Sequence, residues 1–239
     1  MQTTTVITAP SASPFSALVT MFHSPTAAFA MLEPRRHAWL PLVMLMAASA
    51  GVLMWYFAVV DFAWLQDKMF ASMRDAAQRE QAGNIMSRGV LQGMSVATAL
   101  LAIPFMAAVT ALYFTLVSKF TQSELPFGRG FALALWASVP TLLLNLLGAL
   151  QIILNPDGHL ELGQLNPVSL NQLFFHIEMG RPWSSLLDSV SVISIWNMVL
   201  LVIGYQVWTR APRATAAKVV LIPYAVIYAI WAVAAMLSS

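Results

Sequence analysis

AWLPLVMLMAASAGVLMWYFAVV, residues 38–60, contains no Asp, Glu, Lys or Arg. At about 1.5 Å per residue, a helix of this length crosses the ~30 Å hydrocarbon layer of a bilayer. Four further stretches have the same character: residues 90–117, 131–154, 189–208 and 217–237. With no water at that depth, each backbone N–H and C=O must be satisfied within its own segment, which makes these stretches helices. The expected fold is therefore an all-α polytopic membrane helix bundle of about five transmembrane helices.

Composition supports this reading. The chain is 59% hydrophobic and 9% charged, against roughly 25% charged in soluble domains. A soluble fold could not cover so much apolar surface. The net charge of +2 is too small to point to nucleic acid. The absence of cysteine excludes disulfides, thiolate metal sites and a Cys nucleophile. Residues 1–34 carry no Lys or Arg, so the positive start of a secretory signal is missing. Residues 1–14, rich in Thr, Ser, Pro and Ala, read as a disordered tail, and residues 15–239 as one transmembrane domain.

Local signals refine the picture. Pro104 and Pro140 lie inside spans two and three; each removes a backbone donor and should kink its helix. Residues 61–88 mix charge with Trp64, Leu65, Met69, Phe70 and Met73 at helical spacing, which predicts an amphipathic helix after span one. After span three, Asn166-Pro167 reads as an N-cap followed by Pro, opening a short-helix loop with Leu170, Leu173, Phe174 and Ile177 on one side. Residues 15–32 are apolar but broken at Ser24-Pro25, which predicts two short helices lying on the membrane surface. Phe15, Phe22, Arg35, Arg36 and Trp39 would then be interfacial.

Lys and Arg counts set the expected orientation. Arg35, Arg36, Lys119, Arg129, Arg210, Arg213 and Lys218 fall on the amino-terminal side, beside predicted spans. Lys68, Arg74, Arg79, Arg88 and Arg181 fall opposite. The positive-inside bias then puts the amino terminus inside and the carboxyl terminus outside.

Met21-Phe22-His23-Ser24-Pro25, Phe29, Glu33-Pro34 and Trp39 lead into span one. Ala111-Leu112-Tyr113, Lys119-Phe120, Phe127, Ala132-Leu133-Ala134 and Ser138-Val139-Pro140 follow through spans two and three. Ser194-Ile195-Trp196, Leu200-Leu201, Ile203-Gly204, Ala216-Ala217-Lys218 and Ile222-Pro223 mark spans four and five. In this order they resemble the bacterial branch of the Yip (Ypt-interacting protein, Rab-binding) family of integral membrane proteins. The resemblance implies a five-span domain with an inside amino terminus, in a bacterial cytoplasmic (inner) membrane. Eukaryotic relatives are associated with Rab GTPases and vesicle traffic. This chain lacks their acidic-aromatic-Gly-Pro signature, so that role does not transfer.

No catalytic or metal-binding constellation is visible. His23, His37, His159 and His176 form no HExxH pair. Gly128-Arg129-Gly130 lacks the Lys and spacing of a phosphate loop and reads as a flexible entry to span three. No acidic residue lies centrally in a span, which argues against proton-coupled transport. Asn145, Gln151, Ser194 and Asn197 form a candidate intramembrane polar cluster beside Pro140. Its plain role is hydrogen bonding between helices, and its alternative role is lining a path for a solute. The sequence therefore predicts a non-enzymatic, cofactor-free membrane scaffold that binds lipids, a protein partner or a second copy of itself. The alternative is a small-solute transporter or channel using kinked spans two and three. A reporter fused after Ser239 should be active only if it works outside the cytoplasm; cytoplasmic activity would reverse the assigned orientation.

Overall fold

A computed structural model describes residues 13–33, 37–70, 75–121 and 123–238. Arg35, Arg36, Met73 and Arg74 lie outside the described residues. Five helical segments are long and apolar enough to cross a membrane: Trp39–Val59, Arg88–Phe120, Phe127–Leu154, Val192–Thr209 and Arg213–Leu237. The chain is a polytopic helical bundle and an integral membrane protein. Its outer faces stay apolar, with Leu101 70%, Phe105 64%, Leu146 67% and Ile230 65% exposed. In a bilayer such side chains meet lipid tails.

The first surprise is at the amino terminus. Helices α1 (Pro14–His23) and α2 (Pro25–Leu32) are two, as the Ser24-Pro25 break predicts. Both pack into the bundle. Ala17, Met21, Ala28, Phe29 and Leu32 are buried in the main core. Phe22 meets Trp196 edge-on at 5.6 Å, while Phe29 meets Trp208 at 5.9 Å. Both tryptophans lie on α10 (Val192–Thr209), twelve residues apart, which is about 18 Å along a helix. The α1–α2 pair is thus a helical hairpin that reaches more than halfway along α10 before turning back. Uncharged, apolar residues on both its faces permit this: Phe15 and Val19 are each 62% exposed on its outer side.

Helix α3 (Trp39–Val59) forms span one. The single amphipathic helix predicted after it is instead two helices, α4 (Phe62–Phe70) and α5 (Ala76–Ile85). Asp75 caps α5 by accepting from Ala77 N at 2.9 Å, which starts a new helix where one continuous helix was expected. Helix α6 (Arg88–Thr121) runs through Pro104 without a break. Arg88 reaches back to the end of α3, donating to the carbonyls of Phe57 (2.6 Å) and Val60 (3.2 Å). Those carbonyls lack partners in the last helical turn, so a cation there is doubly favourable.

Span three is two helices, α7 (Phe127–Ala137) and α8 (Thr141–Leu154). Pro140 does more than kink. Val139 N bonds Trp136 O, Thr141 N bonds Ser138 O, and Leu142 N bonds Val139 O. The chain tightens into i→i−3 bonding for one turn, so the amides flanking the proline stay satisfied where no water could replace them. Gly128 to Gly130 lie inside α7, contrary to the flexible entry expected. Gly130 is needed bare, since a Cβ would come within 3.0 Å of the Ala111 Cα on α6.

After α8, a 3₁₀ turn (Leu162–Leu165) and a π-helical turn (Asn171–Phe175) precede α9 (Ser184–Ser189). The π turn begins after Ser169, whose hydroxyl accepts from Gln172 N at 3.1 Å. Asn166 does not cap it, correcting the predicted start; its amide donates instead to Asp188 O at 3.2 Å. Residues 155–160 are pinned against the end of α3. Tyr56 hydroxyl donates to Leu160 O at 2.7 Å. Gly158, at φ +74°, accepts from Asp61 N and would clash with it if it bore a Cβ. Helix α11 (Arg213–Leu237) completes the bundle and accepts a bond from Tyr113 at Val219 O, 2.8 Å.

Gly204 on α10 should be intolerant of side chains. A Cβ there would overlap Leu133 and come within 2.7 Å of the Phe29 ring. Gly204→Val should cost about 1–3 kcal/mol and lower the melting temperature in detergent, whereas Gly51→Ala, in open space, should change it little.

Candidate functional site

The four polar residues read from the sequence do not converge. Asn145 donates to Ser49 on α3 at 3.3 Å. Asn197 donates to Thr141 at 2.9 Å, just past the Pro140 turn. Gln151 lines a separate small hollow of about 210 Å³ with Asn155, Gln164 and Gln172. Ser194 sits in the first turn of α10, in a reciprocal cap with Ser191 at 2.8 and 3.0 Å. Asn145 and Asn197 therefore bond between helices, while Ser194 and Gln151 serve other ends.

Two cavities lie side by side around these pairs, and Ser49 and Thr141 belong to the walls of both. The first, about 310 Å³, lies between α3, α6, α7, α10 and α11. Leu45, Ile103, Met106, Leu135 and Leu201 make it apolar; Asn197 and Tyr224 give it a polar edge. No Asp, Glu, Lys, Arg or His lines it. The Asn197 Oδ1 is buried and has no hydrogen-bond partner. An unpaired buried acceptor costs about 1–3 kcal/mol. A ligand hydroxyl or amide would remove that cost.

The second cavity, about 400 Å³, lies between α3, α6, α8 and the 162–166 and 188 segments. Val52, Leu53, Leu144 and Leu162 form its apolar wall, and Asn145, Asn166 and Asp188 its polar one. Asn166 Oδ1 is buried without a partner. Its orientation is set by its own amide, which donates to Asp188 O. Asp188 Oδ1 accepts from Ser169 at 3.5 Å. Burial pushes the Asp188 carboxyl above its ordinary range, with Asn171 and Ser169 only partly offsetting this.

Sequence reasoning missed Asp188, Asn166 and Ser49. Asp188 stands one residue before the apolar stretch called span four, and only its adjacency to that stretch hinted at burial. Ser49 lay hidden among small residues of span one. Phe15 and Trp39 stay exposed, while Phe22 packs on Trp196. Among the described residues, no group of three or more His, Cys, Asp or Glu could hold a metal ion.

One charged anchor joins α2, α7 and α10 among the described residues. Arg129, at the start of α7, approaches Glu33 Oε1 at 3.3 Å and donates to Trp208 O at 3.1 Å. It thereby ties the end of α2 to the last turn of α10, where unpaired carbonyls favour a cation.

Asp188 also has a consequence for stability. The folded carboxyl holds its proton to higher pH than the unfolded chain's does. Stability is then greatest below the unfolded carboxyl range and falls as pH rises through the folded value. Asp188→Asn should therefore melt higher than wild type at pH 7 in amine-free detergent, with the gap closing as the pH is lowered toward 4; an equal or lower melting point at pH 7 would contradict this.

Comparison with curated proteins and with solved structures gave no match. A family model described as the Yip1 domain matches residues 19–234. That span runs from the buried hairpin to the last turns of α11, so it takes in both cavities and all five crossings, and the chain belongs to the Yip1-domain family.

Proposed function

We propose that this protein is a non-enzymatic membrane scaffold that holds lipid in the apolar cavity between α6, α10 and α11, with its amino terminus on the cytoplasmic side of a bacterial inner membrane. The observation that carries the reading is the chemistry of that cavity. It is mostly apolar, with the Thr110 and Ser138 hydroxyls bonded to carbonyls one turn earlier, has no titratable side chain other than Tyr224, and carries the unpartnered Asn197 Oδ1 on its wall. An acyl chain matches the wall, and a hydroxyl or amide matches the edge. Acid–base or metal chemistry would need groups that the cavity wall does not contain.

A solute path is the second reading. It is favoured by Ser49 and Thr141, which line both cavities. Against it stand the Asn145–Ser49 and Asn197–Thr141 bonds, which knit helices at those two residues.

Purification in mild detergent followed by lipid extraction tests the first reading. Wild type should retain a defined lipid, and Met106→Trp with Thr110→Trp, which fill the cavity from its α6 side, should reduce retention several-fold without lowering the melting point. Equal retention by the filled variant would refute lipid binding at this site. Solute flux in reconstituted vesicles that disappears in Asn145→Leu and Asn197→Leu would favour the second reading.

A further inference from the structure

We propose that the second cavity binds an organic cation, an ammonium group on an apolar body, with Asp188 as its counter-ion and Asn166 Oδ1 as a hydrogen-bond acceptor. This inference rests on that cavity's own residues and not on the lipid reading of its neighbour.

Outside the Asn145–Ser49 and Asn197–Thr141 bonds that knit the helices, the polar side-chain atoms on this wall that lack a committed partner are acceptors. Asp188 supplies carboxylate oxygens, and no Lys, Arg or His among the described residues pairs with it within 4.0 Å. Asn166 Oδ1 is buried and unpartnered, and its amide nitrogen is already committed to Asp188 O. Gly163 lines the same wall, and a Cβ on it would come within 3.0 Å of Asp188 Oδ2. The carboxylate is therefore seated against the bare backbone of Gly163.

An acceptor set of this kind selects donors. An ammonium offers up to three N–H donors and the opposite charge. An anion would be repelled by Asp188. A metal ion would need more ligands than one carboxylate and one amide oxygen provide. The remaining wall, Val52, Leu53, Leu144 and Leu162, calls for hydrocarbon on the cation. A volume of about 400 Å³ falls in the range of small-molecule sites. Burial already disfavours the ionised Asp188, so a cation that restores a partner gains what the empty site lacks.

The ammonium could belong to an aminolipid headgroup or to a free amphiphilic amine. Hexylammonium chloride, titrated onto the full-length protein in detergent and followed by melting temperature and calorimetry, tests the shared chemistry. Wild type should bind it saturably, and hexanol and hexanoate should bind at least about tenfold more weakly. Asp188→Asn should lose at least about tenfold in affinity while staying folded. Leu53→Trp, which fills the apolar wall and keeps the carboxylate, should also lose binding. Repeating the titration in nanodiscs of phosphatidylethanolamine and of phosphatidylglycerol separates the sources. Competition by phosphatidylethanolamine assigns the lipid headgroup, and equal binding in both assigns the free amine. Undiminished binding by Asp188→Asn, or hexanol binding as well as hexylammonium, would overturn the proposal.

Discussion

Phe29 holds three helices at one point. Its ring lies against the bare backbone of Gly204, its edge meets Trp208, and its carbonyl accepts the Trp208 indole N–H at 2.8 Å. Leu133 of α7 closes the same gap from the other side. Lipid tails are as apolar as leucine, so burial alone does little to hold helices together in a bilayer. Close backbone approach and hydrogen bonds must do it. At Phe29 both are present, and the hairpin α1–α2 becomes part of the core. Arg129 then locks the near end by joining Glu33 to the carbonyl of Trp208.

The same constraint governs the middle of the bundle. Pro140 would leave backbone groups unpaired in hydrocarbon, and the short i→i−3 turn over residues 138–142 prevents it. That turn also sets Thr141 opposite Asn197 and leaves α8 free to bring Asn145 to Ser49. The Thr, Ser and Asn side chains in these pairs bind helix to helix, each bond worth about 0.6 kcal/mol in membrane proteins. What the pairs do not satisfy is as informative. Asn197 Oδ1 and Asn166 Oδ1 remain buried acceptors without partners, each at the wall of a cavity. Asp188 is held where burial opposes its charge. Groups kept at a cost to stability concentrate where ligands bind.

Membership of the Yip1-domain family fits an architecture of helices with few reactive groups. The two cavities give that architecture distinct chemistries: one uncharged and apolar, the other apolar with a single carboxylate. Ser49 and Thr141 line both.

The five spans were legible in the sequence because crossing a membrane is a local demand: about 20 apolar residues satisfy it without reference to any other segment. The helix breaks at Ser24-Pro25 and at Pro140 were legible for a similar reason, since proline acts on its own backbone. The depth of the α1–α2 hairpin was not, because apolar composition suits both a surface helix and a buried one; the contacts of Phe22 and Phe29 with two tryptophans on α10, each more than 170 residues distant, decided it. Nor could spacing show that Ser194 would cap its own helix while Asn197 reached Thr141. Asp188 became a site residue only when Asn166, 22 positions earlier, folded against it. Hydropathy is a property of a segment, whereas a binding wall is made by side chains that only packing brings together.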